Sequence, residues 1–462
     1  MDTGEAFMSV AGKKKNLVMA TLAIALPVAG QRLIDIAVNM ADTIMLGYYG
    51  DVVLSASSLA NQFYNIFVFL CMGISGGAAV LASQYWGAGD KAGYRSVVTL
   101  ALRICAISAL VFMAASAFFP EAIMRMYSND AAVIEAGVRY LRITVWIYLM
   151  HGVTTCMAML LRSANLAWLP FVMSCVSLGT NVFCNWVLIF GKFGFPELQI
   201  EGAAWGTLIA RLIEFTVIAW YLLHKDRTIG YHLSDLKKKI PANLLRTYAK
   251  SGTPVIISDM LYAFGNTTVA MVVGKIGVEM SAANSICTMV IQVATAVLSG
   301  IGMAGSVVVG QSIGRGDKKE AQRLGIVYLA LAVGIGLLGV AVVLILAPFI
   351  ISLYNISDLT REYAHQLMYS FALVVVFQSI SSVLAKGVLR GGGDTRFLMV
   401  ADVIFLWIAS IPLGYLAGFV WHMSPFWIQL FLKIDLVLKS FLCIGRLLSG
   451  KWVKKLTRQE TA

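Results

Sequence analysis

Residues 26–50, LPVAGQRLIDIAVNMADTIMLGYYG, decide the fold class. The stretch is almost wholly apolar, as a membrane-crossing helix requires. Yet it carries Asp35, Asn39 and Asp42 at i, i+4 and i+7, all on one helical face. Arg32 stands one turn before Asp35 and partly neutralises it, whereas Asp42 has no cation at helical spacing. A carboxylate inside a bilayer is costly unless it faces protein or water, which makes an intramembrane acid a functional candidate. The plainer alternative is a vestibule acid or a packing hydrogen bond.

The rest of the chain is of the same kind. Of 462 residues, 59% are hydrophobic and 13% charged, with mean hydropathy +0.79. A soluble domain carries about 25% charged residues. The expected fold is therefore an all-α polytopic membrane protein, and the alternation of an outer-membrane barrel is absent. About twelve spans are expected, at 17–47, 55–85, 92–118, 133–160, 165–190, 201–223, 246–274, 281–312, 321–352, 362–388, 396–418 and 425–448.

The net charge of +12 fits cytoplasmic loops better than a nucleic-acid partner. Lys13–Lys15, the loops holding Lys91, Arg162, Lys318 and Arg390, the segment 224–250 and the tail after 450 share one side. Arg125, Lys192, Lys275 and Arg361 lie on the other. Both termini are thus expected in the cytoplasm, in an inner membrane. The N-terminus shows no cleavable signal peptide. The seven cysteines sit in apolar segments without CxxC or CxxH spacing, so neither a disulfide framework nor a zinc site is expected. The 224–250 segment is the one long polar connector and reads as a solvated loop, with anionic lipid headgroups as a secondary contact. It divides the chain into an N-lobe (1–223), a connector (224–245) and a C-lobe (246–462).

The two halves repeat each other. At a shift of 227, Pro27 meets Pro254, Gly73 meets Gly300, and SQYWGAGDK (83–91) meets GQSIGRGDK (310–318); one residue later, LRSAN (161–165) meets LRGGGD (389–394). Six spans per half make them parallel repeats around a central cleft, an architecture that suits a carrier, though enzymes and channels also have duplicated spans. The GxGD elements lie in loops, where Gly allows a tight turn and Asp90 and Asp317 cap the next helix. No strand precedes them and no GK[ST] follows, which argues against nucleotide binding.

At 1.5 Å of rise per residue, Asp42, Asn185 and Thr207 come to one depth on spans one, five and six; Asn181 precedes Asn185 by one turn and Ala203 precedes Thr207 by one. A carboxylate with amide and hydroxyl oxygens suits Na⁺, and Asp42 alone suits a proton; interhelical hydrogen bonding is the plainer role. The second half has Val269, Ala409 and Leu413 at the matching positions. Its own acid candidate is Asp259, accessory with Asp35 and Asn39. Asp402 reads as a cap or a loop contact. Arg211–Glu214 and Asp435–Lys439 read as pairs within their helices, and His151 as packed. Gln62, Phe63, Tyr64, Phe67, Met72, Met289 and Met303 are weak candidates for lining the cleft.

ADTIMLGYYG (41–50), SASSLANQ (55–62), GISGGAAVLASQYWGAGD (73–90), NVFCNWVLIFG (181–191), EGAAWGTLIAR (201–211) and LRGGGDTRF (389–397) resemble the MATE family, the multidrug and toxic compound extrusion transporters, over nearly the whole chain. The resemblance is to the bacterial branches with NorM-like and DinF-like members. It implies twelve helices in two lobes and efflux of cationic or amphipathic drugs against Na⁺ or H⁺, by alternating access in a functional monomer. No enzyme activity and no cofactor are implied. Asp42 matches the family's first-helix acid, with Asn181, Asn185 and Thr207 as partners and Ala203 offering a backbone carbonyl. Many members have an acid where this chain has Asn185, which shifts weight from Na⁺ toward H⁺. The tenth-helix acid position falls near Ser379, and Asp259 lies only near the seventh-helix one, so a second-lobe ion site is not expected. The rival functions are a flippase of lipid-linked sugars, which favours a basic cavity, and an intramembrane enzyme, which needs paired catalytic groups.

Overall fold

A computed structural model describes residues 3–225, 228–352 and 356–457. The described residues are helical, without strands. In chain order the helices are α1 (Thr3–Gly47), α2 (Asp51–Gly87), α3 (Lys91–Phe118), the short α4 (Pro120–Arg125), α5 (Ala131–Thr144), α6 (Ile147–Ser163), α7 (Trp168–Ile189) and α8 (Gln199–Trp220). After the connector come α9 (Ala242–Ile276), α10 (Val278–Gly314), α11 (Lys318–Ser352), α12 (Asp358–Ser381), α13 (Thr395–Val403), α14 (Ile411–Phe419), α15 (Pro425–Leu432) and α16 (Ile434–Leu448). Wider π-turns continue α12 through Ser382–Leu389 and join α13 to α14 through Ile404–Ser410.

Ten helices among the described residues are long and apolar enough to cross a membrane. The expected fourth span is a pair, α5 and α6, bent by 58°. The expected last span is broken at Lys433 into α15 and α16, each shorter than the ~20 residues a crossing needs. Pro27 and Pro254 lie inside α1 and α9 at matching positions. The duplicated loops behave alike. Gly89 and Gly316 both take left-handed backbone, at φ +76° and +90°, where a side chain is strained. Asp317 then caps α11 by accepting the Glu320 N–H at 2.9 Å.

By packing, the chain forms two compact units that differ from a linear cut at the connector. One comprises Met1–Ala29, Ser83–Asp90 and Lys250–Ala462; the other comprises Gly30–Ala82 and Lys91–Ala249. In the first unit the end of α2 crosses the end of α10 reciprocally. A methyl group on Gly87 would overlap the Gln311 backbone, one on Gly314 the Gln84 backbone, and one on Gly310 the Ser83 hydroxyl. These partners are related by the repeat shift of 227. The C-terminal tail folds back on the same region. Trp452 is fully buried and donates to Gln322 Oε1 at 2.8 Å. The Gln84 side chain donates to Lys454 O at 3.1 Å and accepts from the Leu456 N–H at 2.8 Å. Asp394, buried, binds Arg446 at 2.7 Å and Lys454 at 2.5 Å.

In the second unit the connector is not the free loop its charge suggests. Arg95 donates to Gly230 O at 2.9 Å, and Arg103 to Leu236 O at 2.6 Å and Lys238 O at 2.7 Å. Asp235 is buried against α3. The basic side chains of α3 thus cap carbonyls of the connector, a pairing that sequence distance hides. Burial pushes the Asp235 carboxyl up, but the Lys238 ammonium and the His232 N–H outweigh it and hold it below the usual carboxylate range. A group held below its unfolded value stabilises the fold above that value, about 3.9, and loses the contribution as pH falls through the folded one. Limited proteolysis of the connector is expected to accelerate as pH drops below about 4. Asp235→Asn is expected to be cleaved quickly already at neutral pH; equal cleavage of both proteins at neutral pH would disprove the docking role.

Candidate functional site

The helices α7 and α8 pack closely because α8 presents glycines at one-turn spacing. A methyl on Gly202 would strike the Leu188–Ile189 backbone, and one on Gly206 would overlap the Asn185 side-chain oxygen. Small residues therefore leave room for a polar side chain between two helices. Asn185 fills that room and is fully buried; Asn181, one turn earlier, is also buried.

From there a chain of hydrogen bonds runs across three helices. Asn185 Nδ2 donates to Asp42 Oδ1 at 2.5 Å and to Asn181 Oδ1 at 3.3 Å. Asn181 Nδ2 donates to Thr207 Oγ1 at 3.3 Å. Helical rise placed these side chains at one level, and they meet there. Asn185 Oδ1 is buried without a hydrogen-bond partner, an orphan of the kind that calls for explanation in a folded protein. The amide presents its donor to the Asp42 carboxyl. A cation seated on Asp42 would favour the opposite face, the oxygen that now lacks a partner. Carboxylate, amide oxygen and hydroxyl suit a monovalent ion or a proton. No group of three or more His, Cys, Asp or Glu side chains able to hold a metal occurs among the described residues.

Other expected members fall into place or drop out. Ala203 packs in the apolar core with Leu46 and Ile189. Asn39 is exposed, and its backbone carbonyl accepts from Thr43 Oγ1 at 2.7 Å. Asp35 is half-buried in the field of Arg211, Arg32, Glu214 and Arg162. Arg211 pairs with Glu214 at 2.7 Å, and its charge also reaches Asp42. Asp259 lies in the other unit, bound by Arg390 at 2.7 and 3.1 Å. The expected Asp435–Lys439 pair is replaced: Lys439 binds Asp402 at 2.6 Å, and Ser410 Oγ donates to Asp435 at 3.3 Å. Asp402 also accepts from Ser258 and is no loop cap. Phe67 is fully buried, with Phe112 at 5.4 Å and Tyr148 at 5.2 Å between ring centroids; it packs the interior rather than lining a cleft. Gln62 and Met289 are exposed, Phe63 and Met303 half-buried. Sequence reading missed Gly206 and Tyr140, whose hydroxyl donates to Asn61 at 3.5 Å and whose ring stands near Asp42. The glycine spacing in EGAAWG was the available signal for the first.

The MatE family model matches residues 27–187 and again 254–416, two matches whose starts differ by the repeat shift. The chain belongs to the MatE family. Among its MatE relatives, the probable multidrug resistance protein NorM of Thermotoga maritima is 24% identical over 443 residues, 94% of either chain. The multidrug resistance protein NorM of Burkholderia vietnamiensis is 28% identical over 415 residues, covering 86% of this chain and 87% of that one. Solved structures share the fold. A MATE crystal structure in complex with MaL6 superposes with a TM-score of 0.84 at 17% identity, over 94% of this chain and 96% of that one. A MOP superfamily transporter from Pyrococcus furiosus, described as having a binding pocket of reversed polarity, gives 0.82 at 17% over the same shares.

Proposed function

We propose that this MatE protein is a secondary active multidrug efflux antiporter. It exports organic cations and amphiphilic compounds by alternating access, in exchange for H⁺ or Na⁺. It works as a monomer in the inner membrane, with both termini in the cytoplasm. The observation that carries the ion-coupled part is the Asp42–Asn185–Asn181–Thr207 chain, with its single carboxylate and its unpartnered Asn185 oxygen. An ion that loads Asp42 from outside favours one conformation only if it binds the two conformations differently. Asn185 makes such a difference available, because its contact with Asp42 is charge-assisted when the carboxylate is ionised and weaker when a proton or ion neutralises it. The names of the NorM relatives support the substrate class.

The test is drug transport in proteoliposomes with Na⁺ and pH gradients imposed separately. Ethidium movement driven by one of the two gradients is expected. Movement unaffected by either gradient would overturn antiport.

A further inference from the structure

The second repeat gathers charge around one aromatic ring. Lys386 Nζ lies 4.2 Å from the Tyr262 ring centroid and Lys439 Nζ lies 5.8 Å from it. The charge of Lys433, at the break between α15 and α16, also reaches Tyr262. Arg390 and Lys439 are answered by Asp259 and Asp402. Asp435, reached by Lys439, is the third acid. Four cations thus face three carboxylates. Lys386 is in no ion pair among the described residues and is exposed, within the span Asp358–Leu389. An exposed ammonium without an ion pair, three residues from the end of that span, takes water or an anion as its partner.

The duplication sharpens the imbalance. Arg390 and Lys439 occupy the positions of Arg162 and Arg211 in the first repeat, at a shift of 228. There, Asp35 stands in the field of both arginines. Its counterpart at a shift of 227 is Tyr262. The second repeat therefore has an aromatic ring where the first has a carboxylate. The two π-turn segments, Ser382–Leu389 and Ile404–Ser410, flank this cluster, and Lys386 sits in one of them. Such segments are rare and frequent at functional sites.

We infer that the Tyr262–Lys386–Lys433 face of the second repeat binds the anionic group, carboxylate or phosphate, of an amphiphilic solute whose aromatic part stacks near Tyr262. Zwitterions and aromatic acids then join the cationic compounds among the molecules handled. The inference rests on the transport reading for the origin of the solute, while its charge follows from the cluster alone.

The test is dye binding to the purified protein in detergent, by fluorescence anisotropy and without a gradient. The probes are rhodamine 6G and rhodamine 19, the same dye with its ethyl ester replaced by the free acid. The wild type is expected to bind rhodamine 19 more tightly. Lys386→Gln is expected to weaken rhodamine 19 by about tenfold, the scale of one charged hydrogen bond, and to leave rhodamine 6G unchanged. Lys386→Arg is expected to restore it. Equal affinities for the two dyes in the wild type, equal losses in the variant, or binding of neither dye would overturn the inference. A phosphatidylglycerol titration separates the sources: displacement of rhodamine 19 from wild type but not from Lys386→Gln would support the anion site and assign it to a lipid headgroup. Failure of ethidium efflux under imposed gradients is a separate outcome, bearing on antiport alone.

Discussion

Asp42→Asn is expected to slow gradient-driven efflux by about tenfold or more while the protein still folds. The substitution preserves size and leaves Asn185 a carbonyl oxygen to donate to, in place of the carboxylate at 2.5 Å. It removes the charge that a proton or Na⁺ would neutralise. Losing a charge-assisted contact of this kind costs roughly 1.5–3 kcal/mol, so ion-dependent rates are expected to drop by about tenfold or more. Binding of a cationic dye in the absence of a gradient is expected to persist. Initial ethidium efflux in proteoliposomes, normalised to reconstituted protein, is the measurement. A variant that exports at the wild-type rate under the same gradient removes Asp42 from the coupling mechanism, whatever the family resemblance implies.

The largest stability effect is expected at Arg390. Its guanidinium donates to Asp259 through its two terminal nitrogens, and both side chains are mostly buried, 14% and 15% exposed. Arg390→Ala strands a carboxylate away from water, at about 3–5 kcal/mol. Asp259→Asn alone strands the cation instead. Replacing both at once, with Arg390→Leu and Asp259→Leu, removes the uncompensated charge and is expected to restore most of the loss. Thermal unfolding in detergent of the single and double variants closes the cycle. If the double variant melts as low as Arg390→Ala, the pair is not what holds these helices. If it melts normally yet loses efflux, Asp259 regains a functional role.

Much of the candidate site was legible because helix geometry is local and constant. A fixed rise per residue brings Asp42, Asn185 and Thr207 to one level without any knowledge of packing. Sequence could not show which neighbour a charged side chain chooses. Asp435 stands one turn from Lys439, but Lys439 instead takes Asp402, 37 positions away, because a partner on another helix approaches the ammonium more directly. The same limit hid the connector, since Arg95 and Arg103 find carbonyls more than 130 residues downstream. Phe67 reads from sequence as a weak candidate for lining the cleft or as packing; the rings of Phe112 and Tyr148 around it place it in the interior. The repeat itself was plain, because glycine and proline fix backbone shape and so keep their spacing through divergence.

The crossing of α2 and α10 carries a consequence for genetics. Each half presents the same patch to the other, as the subunits of a two-fold dimer do. At Gly87 and Gly314 the obstacle to a larger residue is main chain. A side chain opposite can be trimmed by a second mutation, but a backbone cannot. Revertants of a bulky substitution at either glycine are therefore expected at the same codon, or in residues that let the two helices part, and not among the side chains facing it.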